Sequence, residues 1–454
     1  MTRTCLATAI VAVLLAAGLS AQAPSSAPTS APTSRPDFGI WDKNCIQPPP
    51  TIEPVKLPPL TTQPGDGATE AIYRAALAWF DEALKHVDEL APAADAIAGR
   101  LIDGGNLYVD GSPGFVQEVY GRAGGFAFLT EWNGYPLKAN DCLLVGQLFP
   151  RDEARRLASM TSIANADGRL RRGGVVVHIA SHNWPSVKSM LPAVRRDAWG
   201  KKLFLIDTRA PEGGSWKDVA IGQMATCATN WALQGEVFAA GTRKGKTLAT
   251  LASDAEPNGL EFDKIIGTAK LNERYPLPAI EPGRVARDYL LTAQRYIAAS
   301  LEAREAKQVR LAASRMVQTM ERGNIVLTLI AGHVHVQGSV IPREFTKWMM
   351  FGRDWEWSGQ ALGKGDMLLF VAYLDYPTHE VDLARRAGAD VITMSVQEGP
   401  TDEHRTHIRG YWTQWDSTVN IKDYPVRILP ASGVAQTLEW YSLIAEMEKV
   451  APKK

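Results

Sequence analysis

The sequence predicts an α/β protein made of two tandem doubly wound units, each a parallel sheet in a three-layer α/β/α arrangement. Short runs that are apolar throughout alternate with longer helical stretches, which is typical of parallel sheets covered on both faces. A phrase also recurs, because VVVHIASHNWPS at 175–186 is matched by MLLFVAYLDYPT at 367–378. A tandem duplication is the simplest explanation, and a site is expected within or between the two related units.

The N-terminus has the pattern of an export signal. Arg3 precedes an apolar run at 6–19, and small residues at 20–23 supply a cleavage pattern. We therefore expect residues 1–23 to be a signal peptide and the mature chain to reach the periplasm or the cell exterior. The next segment, 24–66, is rich in proline, serine and threonine and is predicted to be a disordered arm.

The remaining chain divides into elements that repeat in the two units. Unit boundaries are predicted at 67–240 and 285–450, with a connection at 241–284. In the first unit, two helical stretches precede a strand at 107–109, and Pro92 is placed to open the second helix. The second unit begins with a breaker-poor stretch, 282–321, which predicts one long helix or two abutting ones. Its strands are predicted at 325–330, 367–372, 391–394 and 426–429, and its last helix at 435–449.

Composition excludes some partners. Lys plus Arg and Asp plus Glu each number 49, so the formal net charge is zero, and no basic block is present. This argues against nucleic acid and, after cleavage of the signal, against a membrane surface as partners. A small molecule is the expected ligand. Of the cysteines, Cys45, Cys142 and Cys227 follow the signal, and in a chain of this size we expect buried or unpaired thiols.

Loops after the predicted strands carry the candidate binding residues. Ser181, Asn183 and Ser186 follow one strand, and Asp375 and Thr378 follow its apparent repeat. Hydroxyls and free amides at a helix start can hold a phosphate or a sugar acid at the carboxyl ends of parallel strands. The alternative is a plain helix cap that binds nothing, with Asp375 or Thr378 as the N-cap in the second unit.

A second loop follows the first strand and suggests proton chemistry. Gly111 and Ser112 open it, and Glu118 and Arg122 follow at a spacing of four. At that spacing the two side chains can simply pair on one helix face. A carboxylate beside a ligand can instead move a proton between neighbouring sugar carbons.

The stretch DGSPGFVQEVYGRAGGF at 110–126 resembles the sugar isomerase (SIS) domain family. Gly111, Ser112, Glu118 and the Arg-Ala-Gly-Gly run at 122–125 match the family's first loop and the element that follows it. HIASHNWPSVKSM at 178–190 looks like the family's second strand with its serine-rich phosphosugar loop. The resemblance covers 67–240 and, more faintly, 285–450, and it implies two tandem flavodoxin-like domains.

The loops also depart from the family pattern. His182 to Pro185 stand where the family has a second serine and a glycine, and the second unit has lost its serines. A bulky aromatic residue followed by proline leaves less space for backbone N–H groups to surround a phosphate. An unphosphorylated sugar, stacked on Trp184 or Tyr376, suits such loops better.

Histidines are concentrated in the second unit and leave two roles open. They are His333, His335, His379, His404 and His407. Part of this set could bind a metal, although the spacing matches no established zinc motif. An acid or base is the other role, since imidazole titrates near neutral pH, and His404 is our candidate.

The resemblance implies a sugar-binding protein in which aldose–ketose isomerisation is an open activity. Glu118 would then shuttle the proton, and Gly111, Ser112, Ser181, Asn183 and Ser186 would hold the ligand. The sequence shows no convincing dinucleotide fingerprint, so no cofactor is expected. A non-catalytic binding or structural module is the alternative, followed by a metal-dependent hydrolase that uses the second-unit histidines. Whether the protein is a homodimer is left open.

Overall fold

The computed structural model describes residues 67–134, 137–148, 174–184, 203–253, 255–303, 305–331, 345, 347–352, 362–372, 375–412 and 416–451. The predicted signal peptide and arm lie outside these residues. So do Cys45, Ser186, His333 and His335, so the expectations for them stay predictions.

The first half of the body runs to residue 243. Its elements, in chain order, are α1 (Ala68–Lys85), a 3₁₀ turn (Val87–Leu90), α2 (Ala91–Ile102), β1 (Leu107–Gly111), α3 (Pro113–Val119), β2 (Thr130–Glu131), β3 (Cys142–Gly146), β4 (Val175–Ala180), β5 (Leu203–Asp207) and α4 (Trp216–Arg243). A short helix, α5 (Gly259–Ile266), lies between the halves in the chain.

The second half starts near residue 283. Its elements are α6 (Arg284–Glu302), α7 (Ala306–Glu321), β6 (Val326–Ile330), β7 (Met349–Gly352), β8 (Met367–Val371), α8 (Thr378–Arg386), β9 (Asp390–Ser395), β10 (Arg405–Arg409), β11 (Ser417–Val419), β12 (Ile428–Pro430) and α9 (Ser432–Val450). The stretch predicted as one or two helices is thus two, α6 and α7.

Each half contains a five-stranded sheet in which all strands run parallel. The first sheet has the order β2-β1-β3-β4-β5, and the second has the order β7-β6-β8-β9-β10. The two orders are the same, and both are the flavodoxin-like order. The predicted α/β fold with two doubly wound parallel sheets is therefore confirmed. The predicted unit boundaries stay predictions.

The strand order corrects the alignment of the repeat. β8 pairs with β6 as β3 pairs with β1, so the VVVHIA strand, β4, corresponds to β9 and not to the MLLFV strand, β8. Matching turns support this, because Asp141 before β3 and Asp366 before β8 each accept a backbone N–H from the residue preceding the first strand, at 3.0 Å. The loop that begins at Ser181 therefore follows the third long strand, β4, and not the second. The repeated phrase misaligned the halves because no strand was predicted at β3, although β3 is as long as β6 and β8.

Helices of the two halves pack against one another. α4 packs against α9, and each also packs against both α1 and α6. Glu446 of α9 accepts the Thr69 N–H at the start of α1 at 2.9 Å, and Glu236 of α4 accepts the Gly283 N–H at the start of α6 at 2.6 Å. Each half thus satisfies free amides at a helix start of the other. One hydrophobic core runs through both halves and buries Trp231 and Trp440.

One predicted strand lies outside the two parallel sheets, and two predicted cysteines are buried. The strand predicted at 426–429 is β12, which pairs antiparallel with β11 in a separate two-stranded sheet. Cys142 and Cys227 are free and buried, as expected, and burial raises the pKa of both thiols. In the described part of the chain, no helix has the length and apolarity needed to cross a membrane.

Candidate functional site

A cavity of about 280 Å³ lies at the carboxyl ends of β4 and β5. This edge of a parallel sheet is where doubly wound proteins place their ligands. Apolar side chains of α1, β5, α4 and α6 form much of its wall. The polar side chains that line it are His86, Glu89, His182, Asp207, Thr208, Arg209 and Thr229. The cavity thus combines an apolar surface with several hydrogen-bonding groups.

Asp207, the last residue of β5, holds the two loops beside the cavity together. Its Oδ1 accepts the backbone N–H groups of His182 and Arg209, both at 2.9 Å. Its Oδ2 lies 3.7 Å from Nδ1 of the His182 ring. One carboxylate therefore fixes the loop after β4 relative to the loop after β5.

Arg209 presents its guanidinium to the cavity from a left-handed backbone. Its φ is 53°, a conformation that costs a non-glycine residue about 1 to 3 kcal/mol and persists where surrounding contacts enforce it. Nη1 donates to the carbonyl oxygen of Asp207 at 3.1 Å. Nη2 donates to both carboxylate oxygens of Glu89, at 2.9 and 2.7 Å, and these bonds hold the pKa of Glu89 below its ordinary value.

The opposite wall is built by α1 and the 3₁₀ turn. Trp79 packs on the cavity and donates its indole N–H to the carbonyl of Thr208 at 2.7 Å, which fastens α1 to the end of β5. The His86 ring lies between two carboxylates, with Nδ1 2.8 Å from Glu89 and Nε2 3.0 Å from Glu82. Among the described lining residues, the two carboxylates of Glu89 and Asp207 outnumber the one guanidinium, that of Arg209.

The predicted binding residues after β4 adjoin the cavity but are bonded to backbone. The Ser181 hydroxyl is buried, donates to the Ala210 carbonyl at 2.7 Å and accepts the Asn183 N–H at 3.3 Å. The Asn183 amide donates to the same carbonyl at 3.4 Å. Trp184 is only 1 % exposed, so its ring offers no open face for a sugar. Their neighbour His182 lines the cavity instead.

Gly111 and Ser112 lie at the end of β1 and contact the end of β3. Ser112 donates its N–H to the Gly146 carbonyl at 2.9 Å, and its hydroxyl accepts the Leu148 N–H at 3.1 Å. A Cβ on Gly111 would lie 2.1 Å from the Gly146 carbonyl oxygen, so only glycine fits there. Both residues stabilise the packing of the strand ends. Their predicted contact with a ligand stays a prediction.

Glu118 lies in a buried network that joins the two halves. Its carboxylate accepts from Arg122 Nη1 at 2.5 Å and from the Trp231 indole at 2.8 Å, and its side chain is fully buried. Arg122 Nη2 continues to Asp416 at 3.2 Å and to the Ser432 hydroxyl at 2.5 Å. Glu118 does not line the described cavity. Its predicted proton-shuttle role stays a prediction.

In the second half, the predicted site residues lie far apart in the fold. Asp375 and Thr378 are exposed after β8, and α8 begins at Thr378 with Pro377 as N-cap and no side-chain cap. The expectation that Asp375 or Thr378 caps this helix is therefore wrong. His404 precedes β10 and bonds Asp390 at the start of β9 at 2.9 Å, so it lies at the amino edge of its sheet. That edge is opposite the one where β8 ends.

The sequence pattern missed the residues that line the cavity. The run Asp207-Thr208-Arg209 directly follows an apolar strand, and that position was a usable signal. Trp79, His86 and Glu89 sit in a helical stretch and carried no signal of their own. Within the described ranges, no group of three or more His, Cys, Asp and Glu side chains is arranged to hold a metal ion.

No family model and no curated protein matches this chain. Among solved structures, it is similar to the C-terminal domain of glucosamine-fructose-6-phosphate aminotransferase from Francisella tularensis, with TM-score 0.44 and 7% identity, over 81% of this chain and 95% of that one. It is also similar to a protein assigned as a tagatose-6-phosphate ketose/aldose isomerase from Clostridium novyi, with TM-score 0.43 and 10% identity, over 84% and 90%. Likeness at this level carries no weight for ligand or activity. The fold class rests on the two sheets themselves.

Proposed function

We propose that this chain binds a small sugar derivative in the cavity at the carboxyl ends of β4 and β5. The observation that supports this most directly is the combination of an apolar wall with several hydrogen-bonding side chains in one cavity of about 280 Å³. Sugars present both an apolar ring face and polar hydroxyls. Ligand sites typically measure about 300–1,000 Å³, so a cavity of about 280 Å³ is at the small end and suits a ligand of about monosaccharide size.

The charges around the cavity favour a ligand without a phosphate. Arg209 is the one Arg or Lys among the described lining residues, and it already faces Glu89. Asp207 adds a second carboxylate beside it. A phosphate dianion would approach both of these carboxylates, and that repulsion is unfavourable in a partly dry cavity. An unphosphorylated sugar derivative avoids this repulsion.

Binding without catalysis is the simpler function for this geometry. Isomerisation through Glu118 requires its carboxylate to exchange a proton with a ligand carbon at hydrogen-bond reach. That carboxylate is fully buried and already bonded to Arg122 and Trp231. We therefore assign the cavity a binding role and give Glu118 a structural one.

We also propose that the protein acts outside the cytoplasm. The support is the sequence pattern at residues 1–23, with a basic residue, a short apolar run and a small-residue cleavage pattern. Expression of the full chain in a bacterial host, followed by mass spectrometry of the periplasmic fraction, tests this. A mature N-terminus near residue 24 is expected, and a full-length cytoplasmic product would contradict the proposal.

Thermal stability of the mature protein against a sugar panel tests the binding proposal. A ligand present at about a hundred times its Kd adds about 2.7 kcal/mol to the free energy of unfolding, which raises Tm visibly. We expect unphosphorylated sugars to stabilise the protein and Asp207→Ala to abolish the effect, because both loops lose their shared acceptor. Asp402→Ala, which removes an exposed carboxylate paired with Arg405, is the control and should respond like the wild type.

Two results would count against this function. If no sugar raises Tm, the cavity does not bind this class of ligand. If wild-type protein interconverts an aldose and a ketose, as followed by NMR, and folded Glu118→Gln does not, then Glu118 is catalytic and the structural role assigned to it is wrong.

A further inference from the structure

The contact between Glu89 and Arg209 has the form of a ligand contact. Both residues line the cavity, and one guanidinium nitrogen donates to both carboxylate oxygens. A carboxylate supplied by a ligand would make the same bonds to an arginine. Within the described lining, Arg209 is the one permanently charged cation that could make them.

The Arg209 side chain is held in place by groups other than Glu89. Its backbone N–H donates to Asp207 Oδ1 at 2.9 Å, and its Nη1 donates to the Asp207 carbonyl at 3.1 Å. These bonds maintain the left-handed backbone at φ 53°. Strained backbone of this kind persists where the surroundings enforce it, and it concentrates at binding sites. The guanidinium would therefore stay in the cavity if Glu89 moved away.

Glu89, in contrast, is open to solvent. It belongs to the short 3₁₀ turn between α1 and α2, and its side chain is 57% exposed. Arg209 is 25% exposed and Glu89 57% exposed, so water solvates the Glu89 carboxylate when it leaves Arg209 and offsets much of the loss of the pair. His86, which bonds Glu89 at 2.8 Å, would then be free to donate to a ligand.

We propose that the ligand is a sugar acid and that its carboxylate displaces Glu89 from Arg209. This rests on the proposed sugar-binding function of the cavity. Once Glu89 has moved, the charges of Asp207 and Arg209 cancel, and one ligand carboxylate restores the single negative charge that Glu89 supplied. A phosphate dianion would exceed that charge next to Asp207. Glu89 thus acts as an internal competitor that gives way to a monocarboxylate.

Calorimetric titration with glucuronate, glucose and glucose 6-phosphate tests this proposal. In wild type, glucuronate should bind at least about tenfold more tightly than either of the others. Glu89→Gln should strengthen glucuronate binding by up to about fivefold, since it removes a competitor no stronger than an exposed ion pair, and it should leave glucose unchanged. Arg209→Gln should remove the preference for glucuronate. Glu398→Gln, which removes an exposed carboxylate paired with Arg409 in the second half, should change nothing.

The direction of the Glu89 effect separates this proposal from ordinary contact. If Glu89→Gln weakens glucuronate binding, Glu89 is a ligand contact and the displacement is wrong. If glucose or glucose 6-phosphate binds as tightly as glucuronate, the ligand class is wrong while the sugar-binding function stands. If neither these sugars nor the wider panel binds, both proposals fail. Circular dichroism and Tm of each variant show that the fold is retained.

Discussion

Replacing Arg122 with methionine tests how much the buried network between the two halves contributes to the stability of the fold. Arg122 is fully buried and donates to two carboxylates, those of Glu118 and Asp416, and to the Ser432 hydroxyl. Methionine keeps most of the apolar stem but leaves two carboxylates buried without their cation. Removing one partner of a buried ion pair typically costs about 3–5 kcal/mol, because the remaining charge is uncompensated. Here two carboxylates are affected, so we expect the upper part of that range.

The assay is urea unfolding followed by circular dichroism, with Arg405→Met as the matched control. Arg405 pairs with Asp402 at 2.6 Å, but both side chains are more than a third exposed, so its loss should cost about 1 kcal/mol at most. A cost below about 1 kcal/mol for Arg122→Met would refute the reasoning, because the carboxylates would then not depend on Arg122.

A combined variant examines the physical cause. Adding Glu118→Gln and Asp416→Asn to Arg122→Met removes the uncompensated charges and should recover much of the lost stability. No recovery would mean that the cost arises from packing around Arg122 and not from charge.

Three further substitutions should change the stability of the fold in a direction that the structure predicts. Gly433→Ala places a methyl carbon 2.4 Å from the buried Glu118 carboxylate, so Tm should fall by the equivalent of about 1–3 kcal/mol, and an unchanged Tm would contradict this contact. Burial, with a smaller contribution from Glu305, raises the pKa of Glu439 well above 4.5, so stability should fall as pH rises above 4.5. Glu439→Gln should flatten that fall in urea unfolding between pH 5 and 9, and an unaltered slope would count against it. Burial lowers the pKa of His178 from 6.5 to about 4, so its neutral ring contributes stability above pH 6.5 that is lost as pH falls to 4. His178→Leu should reduce that acid sensitivity, and an acid midpoint equal to wild type would show that another group controls it.

Four strands were predictable from continuous apolar runs, and one strand of the same kind was missed. The runs at β4, β6, β8 and β9 were found within a residue or two, because buried parallel strands leave a continuous apolar signature. β3 is as long as β6 and β8, at five residues each, yet it was not predicted, and missing it shifted the alignment of the two halves by one strand. One-dimensional apolarity does not encode which strand lies beside which.

The role of Glu118 illustrates a second limit. A spacing of four between Glu118 and Arg122 fits both a helix-surface pair and a proton-transfer group. The structure keeps the pairing but places it in the core, where Asp416 and Ser432 lie beside it from 294 and 310 residues later in the chain than Arg122. The spacing along a helix indicates that two side chains are neighbours. It does not indicate whether distant parts of the chain bury them.

By itself, the sequence determined the α/β class, the doubling of the architecture and the order of most strands and helices. Those properties follow from periodicity and composition, which act over a few residues at a time. Only the tertiary structure decided where the cavity lies, because its walls combine α1, the 3₁₀ turn and the ends of β4 and β5. The contact between Glu89 and Arg209 joins residues 120 positions apart, and packing of the helices onto the sheet, not any local pattern, brings them together.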